Sequence, residues 1–247
     1  MINYEDIKAI NTNSKYKHII SLGHICAPAM QLEKYNLRDA SYPFDWLIFA
    51  DFDLMLKFIE NENEEKLYQI DQFDQGVNNR NHYRHRGFNI RFLHDFNSYE
   101  PLAKQFPNFI EKYKRRFKRF YNAIEEPTLF IRYVSSAKEM QYIEEEEIYI
   151  ESTIKRKCSL NDIIYVINNE IETSLDVART SPSYDSTVNP CFLDDDEALL
   201  HFISKVYEEV KTKNPNKRRS KVSQKITTLK NRIFPEYHHE NVYDDTD

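Results

Sequence analysis

Three stretches of the chain are apolar almost without interruption over the length of a strand: His18-Ile19-Ile20-Ser21-Leu22, Leu129-Phe130-Ile131-Arg132-Tyr133-Val134 and Ile163-Ile164-Tyr165-Val166-Ile167. Runs that do not alternate with polar residues belong to strands covered on both faces, as in parallel sheets. The first run ends at Gly23, and Pro28 to Tyr35 then has helical spacing, so this segment reads as strand, tight turn and helix. Between the other two runs, Ala137 to Lys157 carries Met140, Ile143, Ile148 and Ile154 among many glutamates, the pattern of an amphipathic crossover helix. Strand, helix and strand together predict a βαβ unit with parallel strands.

Two more helices complete the layers. Pro107 to Glu125 has Phe109, Tyr113, Phe117, Phe120 and Ile124 along one stripe, and Asp194 to Lys211 has Leu199, Phe202, Ile203, Val206 and Val210. The expected fold is therefore α/β: a three-layer, mainly parallel sheet with helices on both faces, in the manner of Rossmann, flavodoxin and SGNH-hydrolase folds. A compositional break at Lys213-Asn214-Pro215-Asn216-Lys217-Arg218-Arg219 divides the chain into a single domain over 1–213 and a charged, partly ordered tail over 214–247. Within that tail Val222, Ile226, Leu229 and Ile233 recur at helical spacing.

Charge narrows the partners. The 40 acidic and 34 basic side chains leave a net charge of −6, which does not favour nucleic acid. Lys112, Lys114, Arg115, Arg116, Lys118 and Arg119, which surround the aromatic stripe, then read as a solvated face. The amino terminus lacks the basic start and apolar stretch of a signal peptide, and no run of about 18 apolar residues occurs, so a cytoplasmic protein without a membrane span is expected. Three cysteines, Cys26, Cys158 and Cys191, are odd in number and widely spaced, which suits free thiols in a reducing compartment. No cofactor or metal is expected, since His82 and His85 find no third ligand at a recognisable spacing beyond His94 or Asp95.

The chemistry concentrates around Cys26. With only 3 glycines in the chain, Gly23 stands where a strand must turn into a helix, and Cys26 follows near the helix start. Unpaired N–H groups and the positive end of the helix dipole there predict a lowered thiol pKa. A thiolate nucleophile needs a base, and His94 stands beside Asp95 in the compact segment Arg91-Phe92-Leu93-His94-Asp95-Phe96. Asp45, between Phe44 and the single Trp46, must be paired or raised in pKa; it can orient His94, bind substrate or cap the following helix.

At these residues the chain resembles a known family. The motifs are Ser21-Leu22-Gly23 with Cys26 and Ala29, Leu37-Arg38 with Ser41, Pro43-Phe44-Asp45-Trp46-Leu47, His94-Asp95-Phe96 and Phe130-Ile131-Arg132. Together they resemble the domain-of-unknown-function family DUF1796, labelled papain-like cysteine peptidases, across Ile19 to Asn168. The resemblance implies Cys26 as nucleophile and His94 as general base, attacking an acyl carbon through a thioester, with Asp45 or Asp95 orienting the imidazole. It also implies an α+β papain-like fold as the alternative to the parallel sheet. In the parallel arrangement Ser21, Gly23, Trp46 and Arg132 would surround the substrate, backbone N–H groups near Gly23 and Cys26 forming an oxyanion hole and Arg132 binding an anionic group.

The leading expectation is a cysteine-dependent hydrolase or acyl-transfer enzyme acting on a small-molecule, peptide or glycan-linked acyl substrate. Its rival is a noncatalytic phosphate- or glycan-binding module with Arg38, Arg91 and Arg132 as clamps. A third expectation is an interaction protein whose basic tail, Lys217 to Lys230, docks an acidic surface.

Overall fold

The computed structural model describes residues 14–77, 80–168, 171–180 and 196–206. The chain divides into two units, Met1–Tyr207 and Glu208–Asp247. Cys191, His238, His239 and the tail helix expected over 220–233 all lie outside the described residues.

The apolar runs form a parallel sheet, as their pattern requires. Strand β1 (His18–Ser21) pairs with β6 (Thr128–Val134), β6 with β7 (Asp162–Asn168), and β7 with the short β8 (Ala178–Thr180), every pairing parallel. All seven residues of β6 are buried, which is why that run shows no polar alternation. The crossover between β6 and β7 is helical but broken in two, α4 (Ala137–Glu145) and α5 (Glu147–Lys155). Four consecutive glutamates, 144 to 147, weaken a continuous helix there through like charges one turn apart. The break shifts the apolar stripe, so Met140, Ile143, Ile150 and Ile154 are buried while Ile148 is exposed.

The doubly wound order expected of a Rossmann or flavodoxin sheet is not found. Among the described residues, strand order β1-β6-β7-β8 follows chain order without the reversal that creates a topological switch point. The long link from β1 to β6 instead carries a second, antiparallel sheet built from β2 (Leu47–Ile48), β3 (Phe73–Gln75), β4 (Tyr83–His85) and β5 (Ile90–Phe92), in the order β2-β5-β4-β3.

Helices α1 (Ala27–Lys34), α2 (Phe52–Glu60), α3 (Leu102–Ala123) and α6 (Asp196–Val206) complete the described elements. Helix α3 begins five residues before Pro107, with Pro107 inside it, because Phe106 extends the buried stripe of Phe109, Tyr113, Phe117 and Phe120 by another turn. These rings meet Phe73 and Phe92 of the antiparallel sheet and Phe44 and Phe58 beside it, tilted or edge-on at centroid distances of 5.2–5.9 Å. An aromatic core thus joins α3 to the second sheet. No helix of the described residues is long and apolar enough to cross a membrane.

Candidate active site

The turn that carries Cys26 is fixed from its backbone outward. Leu22 N–H donates to Ile131 C=O (2.8 Å) and Tyr133 N–H to Gly23 C=O (3.1 Å), which carries the β1–β6 ladder past the end of the strand. Gly23 has φ +76°, and a Cβ placed on it would come no closer than 3.5 Å to Arg132 Nη1. It is therefore backbone conformation, not crowding, that selects glycine. The Gly23–His24 peptide is cis. Gly23 N–H donates to the buried Ser21 hydroxyl (3.2 Å), so both residues serve the turn itself and that N–H is not free for an oxyanion.

Cys26 is the N-cap residue of α1, with Pro28 in the first turn, where its missing N–H does no harm. The thiol makes no capping hydrogen bond and is half-buried. Burial pushes the Cys26 thiol up from its ordinary value, and its own backbone N–H offsets only part of this. The lowering expected from the helix terminus is not found, because desolvation of the charged sulfur pushes the thiol the other way.

Behind this turn lies a charge network that sequence reasoning only touched. Arg132 is 0% exposed in the middle of β6. Its Nε donates to Glu139 Oε1 (2.8 Å), Nη1 to the carbonyls of Leu22 (2.8 Å) and Phe49 (2.9 Å), and Nη2 to Ala50 C=O (3.1 Å) and Glu139 Oε1 (2.6 Å). Its guanidinium also lies 4.8 Å from the centroid of Phe52. Arg132 thus clamps three chain segments together and does not face a substrate. Glu139, on α4, turns its other oxygen toward His24 Nδ1 (3.8 Å), and the Ser135 hydroxyl stands 3.4 Å from the same nitrogen. Burial would raise the Glu139 carboxyl, but the neighbouring His24 ring and the Arg132 guanidinium outweigh it and hold the group below the usual carboxylate range. No motif marks this pair; the only sequence signal was that His24 lies two residues from Cys26.

The other predicted residues are placed apart from that network. Asp45, 1% exposed, accepts from Tyr42 N–H (2.7 Å) and pairs with Arg38 Nη2 (2.9 Å). Burial raises its carboxyl to about 6, against the pull of Arg38 and the Tyr42 N–H. It does not cap the following helix: Asp51 does, accepting from Leu54 N–H (2.9 Å). Arg38 also lies over Trp46 (5.4 Å), and the His94 ring meets Trp46 edge-on at 6.2 Å. Asp95 turns away from His94 to Lys112 (2.5 Å) and the Tyr113 hydroxyl (3.2 Å). Among the described residues no hydrogen bond or ion pair joins His94 to Cys26, Asp45 or Asp95. The two regions are nonetheless connected, because Phe49 N–H donates to His24 C=O (3.1 Å) just after β2, and β2 pairs with β5, which leads to His94. His85 is a core residue, donating from Nε2 to Lys66 C=O (3.1 Å) and accepting from Phe88 N–H (3.3 Å). Among the described residues no group of three or more His, Cys, Asp or Glu side chains is placed to hold a metal ion.

Fold and site together define an α/β protein whose thiol opens the helix that follows the first strand of a parallel sheet. Its family is known: the chain belongs to the one described as "Putative papain-like cysteine peptidase (DUF1796)", whose model matches residues 17–172, more than half of the chain. A similar relative is an uncharacterized protein of Acanthamoeba polyphaga mimivirus, 31% identical over 146 residues, which cover 51% of this chain and 60% of that protein. No solved structure gives a significant match.

Proposed function

We propose that this chain is a cysteine-dependent hydrolase or acyl-transfer enzyme in which Cys26 Sγ attacks an acyl carbon and carries the acyl group as a thioester. The observation that carries this reading is the placement of a half-exposed, uncapped thiol at the N-terminus of α1, directly beyond the end of β1. First-turn N–H groups of that helix would meet the oxyanion in place of the Gly23 N–H. Because burial disfavours the thiolate, the thiol proton must leave as Sγ attacks, and an imidazole is needed as base. His94, from the family motif, and His24, on the same turn, are the two candidates. Small-molecule, peptide and glycan-linked acyl groups are the proposed substrates, and the reducing cytoplasm the proposed setting.

The raised thiol favours one second reading, a noncatalytic phosphate- or glycan-binding module. Against it, two of its three arginine clamps, Arg38 and Arg132, are already paired within the protein.

An activated aryl ester separates the two. The full chain should release about one equivalent of aryl alcohol in a burst and gain one acyl group, mapped to Cys26 by peptide mass spectrometry. Cys26→Ala should show neither. Equal release by wild type and Cys26→Ala would overturn the proposal.

A further inference from the structure

We infer that His24 is the base that takes the Cys26 proton and that Glu139 is the positioning residue that holds His24 for this task; the inference rests on the reading of Cys26 as nucleophile. His24 and Cys26 share the short link between β1 and α1. The His24 backbone is anchored by the bond from Phe49 N–H, and its half-buried ring is faced by Glu139, by the Ser135 hydroxyl and, behind Glu139, by Arg132.

The carboxylate is directional. Arg132 donates twice to Oε1, leaving Oε2 for the imidazole and for the Ser135 N–H (3.4 Å). A buried Arg–Glu pair is a poor device for stability alone, since apolar residues of similar volume often do as well. Here it fixes a carboxylate oxygen beside an imidazole, the arrangement that orients a base. At 3.8 Å the contact is longer than a hydrogen bond, so the pairing is electrostatic. His94 lacks any such partner, because Asp95 is taken by Lys112 and Tyr113.

The steps balance as acyl transfer to water. The thiol proton passes to the His24 ring as Sγ bonds to the acyl carbon. The imidazolium, facing Glu139, returns that proton to the departing oxygen or nitrogen. Water then attacks the thioester, giving a proton to His24, which restores it to Sγ as the acid leaves.

The test uses the same aryl ester with the full chain, folding being followed by circular dichroism. Acylation of Cys26 should slow at least about 100-fold in His24→Gly, and added free imidazole should restore it. The loss should exceed that in His94→Gly, and rescue should be confined to the His24 variant. Glu139→Gln should slow acylation about 10-fold or more, with Glu139→Asp recovering part of it. Imidazole rescue of His24→Gly does not depend on whether Glu139→Gln folds. Wild-type rates in His24→Gly, or larger loss and rescue in His94→Gly, would overturn the inference while leaving Cys26 as nucleophile. A wild-type chain that forms no Cys26 adduct would remove both.

Discussion

Replacing Arg132 by Met should bring the protein close to its unfolding threshold. The substitution keeps a long side chain in β6 but removes the charge and every donor. What remains is the Glu139 carboxylate, 8% exposed in its side chain, without its cation, and the carbonyls of Leu22 and Phe49 without their guanidinium donor. Removing one member of a buried ion pair costs about 3–5 kcal/mol, and each orphaned buried carbonyl adds about 1 kcal/mol or more. The loss is thus on the order of 5 kcal/mol, against a total domain stability of about 5–15 kcal/mol. With a urea slope of about 2 kcal/mol/M, the midpoint should fall by roughly 2 M. Trp46, the only tryptophan, supplies the fluorescence signal. The double variant Arg132→Met, Glu139→Gln should recover part of the loss, because no unpaired charge is left buried. A midpoint drop under about 0.5 M, or a double variant no better than the single, would refute the account of Arg132 as a clamp.

Two further predictions concern titration. Asp45 is raised in the folded protein to about 6, so between about pH 4 and pH 6 the folded state keeps a proton that the unfolded chain has lost, and stability declines as pH rises through that window. Glu139, held low, acts oppositely, its share being lost as pH falls below its ordinary range. Urea midpoints of wild type minus Asp45→Asn should therefore be more favourable near pH 4.5 than at pH 7; a flat difference would count against the raised carboxyl. Iodoacetamide alkylation of Cys26, followed by peptide mass spectrometry, should keep accelerating with pH past the ordinary thiol value of about 8.5; a plateau already reached below pH 7 would contradict a half-buried thiol pushed up by desolvation.

The parallel sheet was legible because its long strands, β6 and β7, are buried on both faces and so carry unbroken apolar runs. The antiparallel sheet was not, since strands of two or three residues such as Leu47–Ile48 are too short to show a period. The strand–turn–helix around Cys26 could be read from Gly23 and Pro28, which punctuate it. The partners of its residues could not: Asp45 finds Arg38, and Asp95 finds Lys112 and Tyr113, through folding of loops whose sequence spacing says nothing about where side chains point. Arg132 was expected to bind an anionic substrate group, and only the fold reveals that its guanidinium is taken up by carbonyls brought in from 82 to 110 residues away.

The pairing of β1 with β6 also bears on how the protein is made. During synthesis β1 leaves the ribosome well before β6, its only sheet neighbour among the described residues, which arrives more than a hundred residues later, after the whole antiparallel sheet and α3. Contacts of such long range are slow to form, because loop closure precedes any reward from pairing. The Cys26 turn, held by bonds to Ile131, Arg132 and Tyr133, stays unformed until β6 emerges. A nascent chain released before Val134 would carry the cysteine but not the geometry around it.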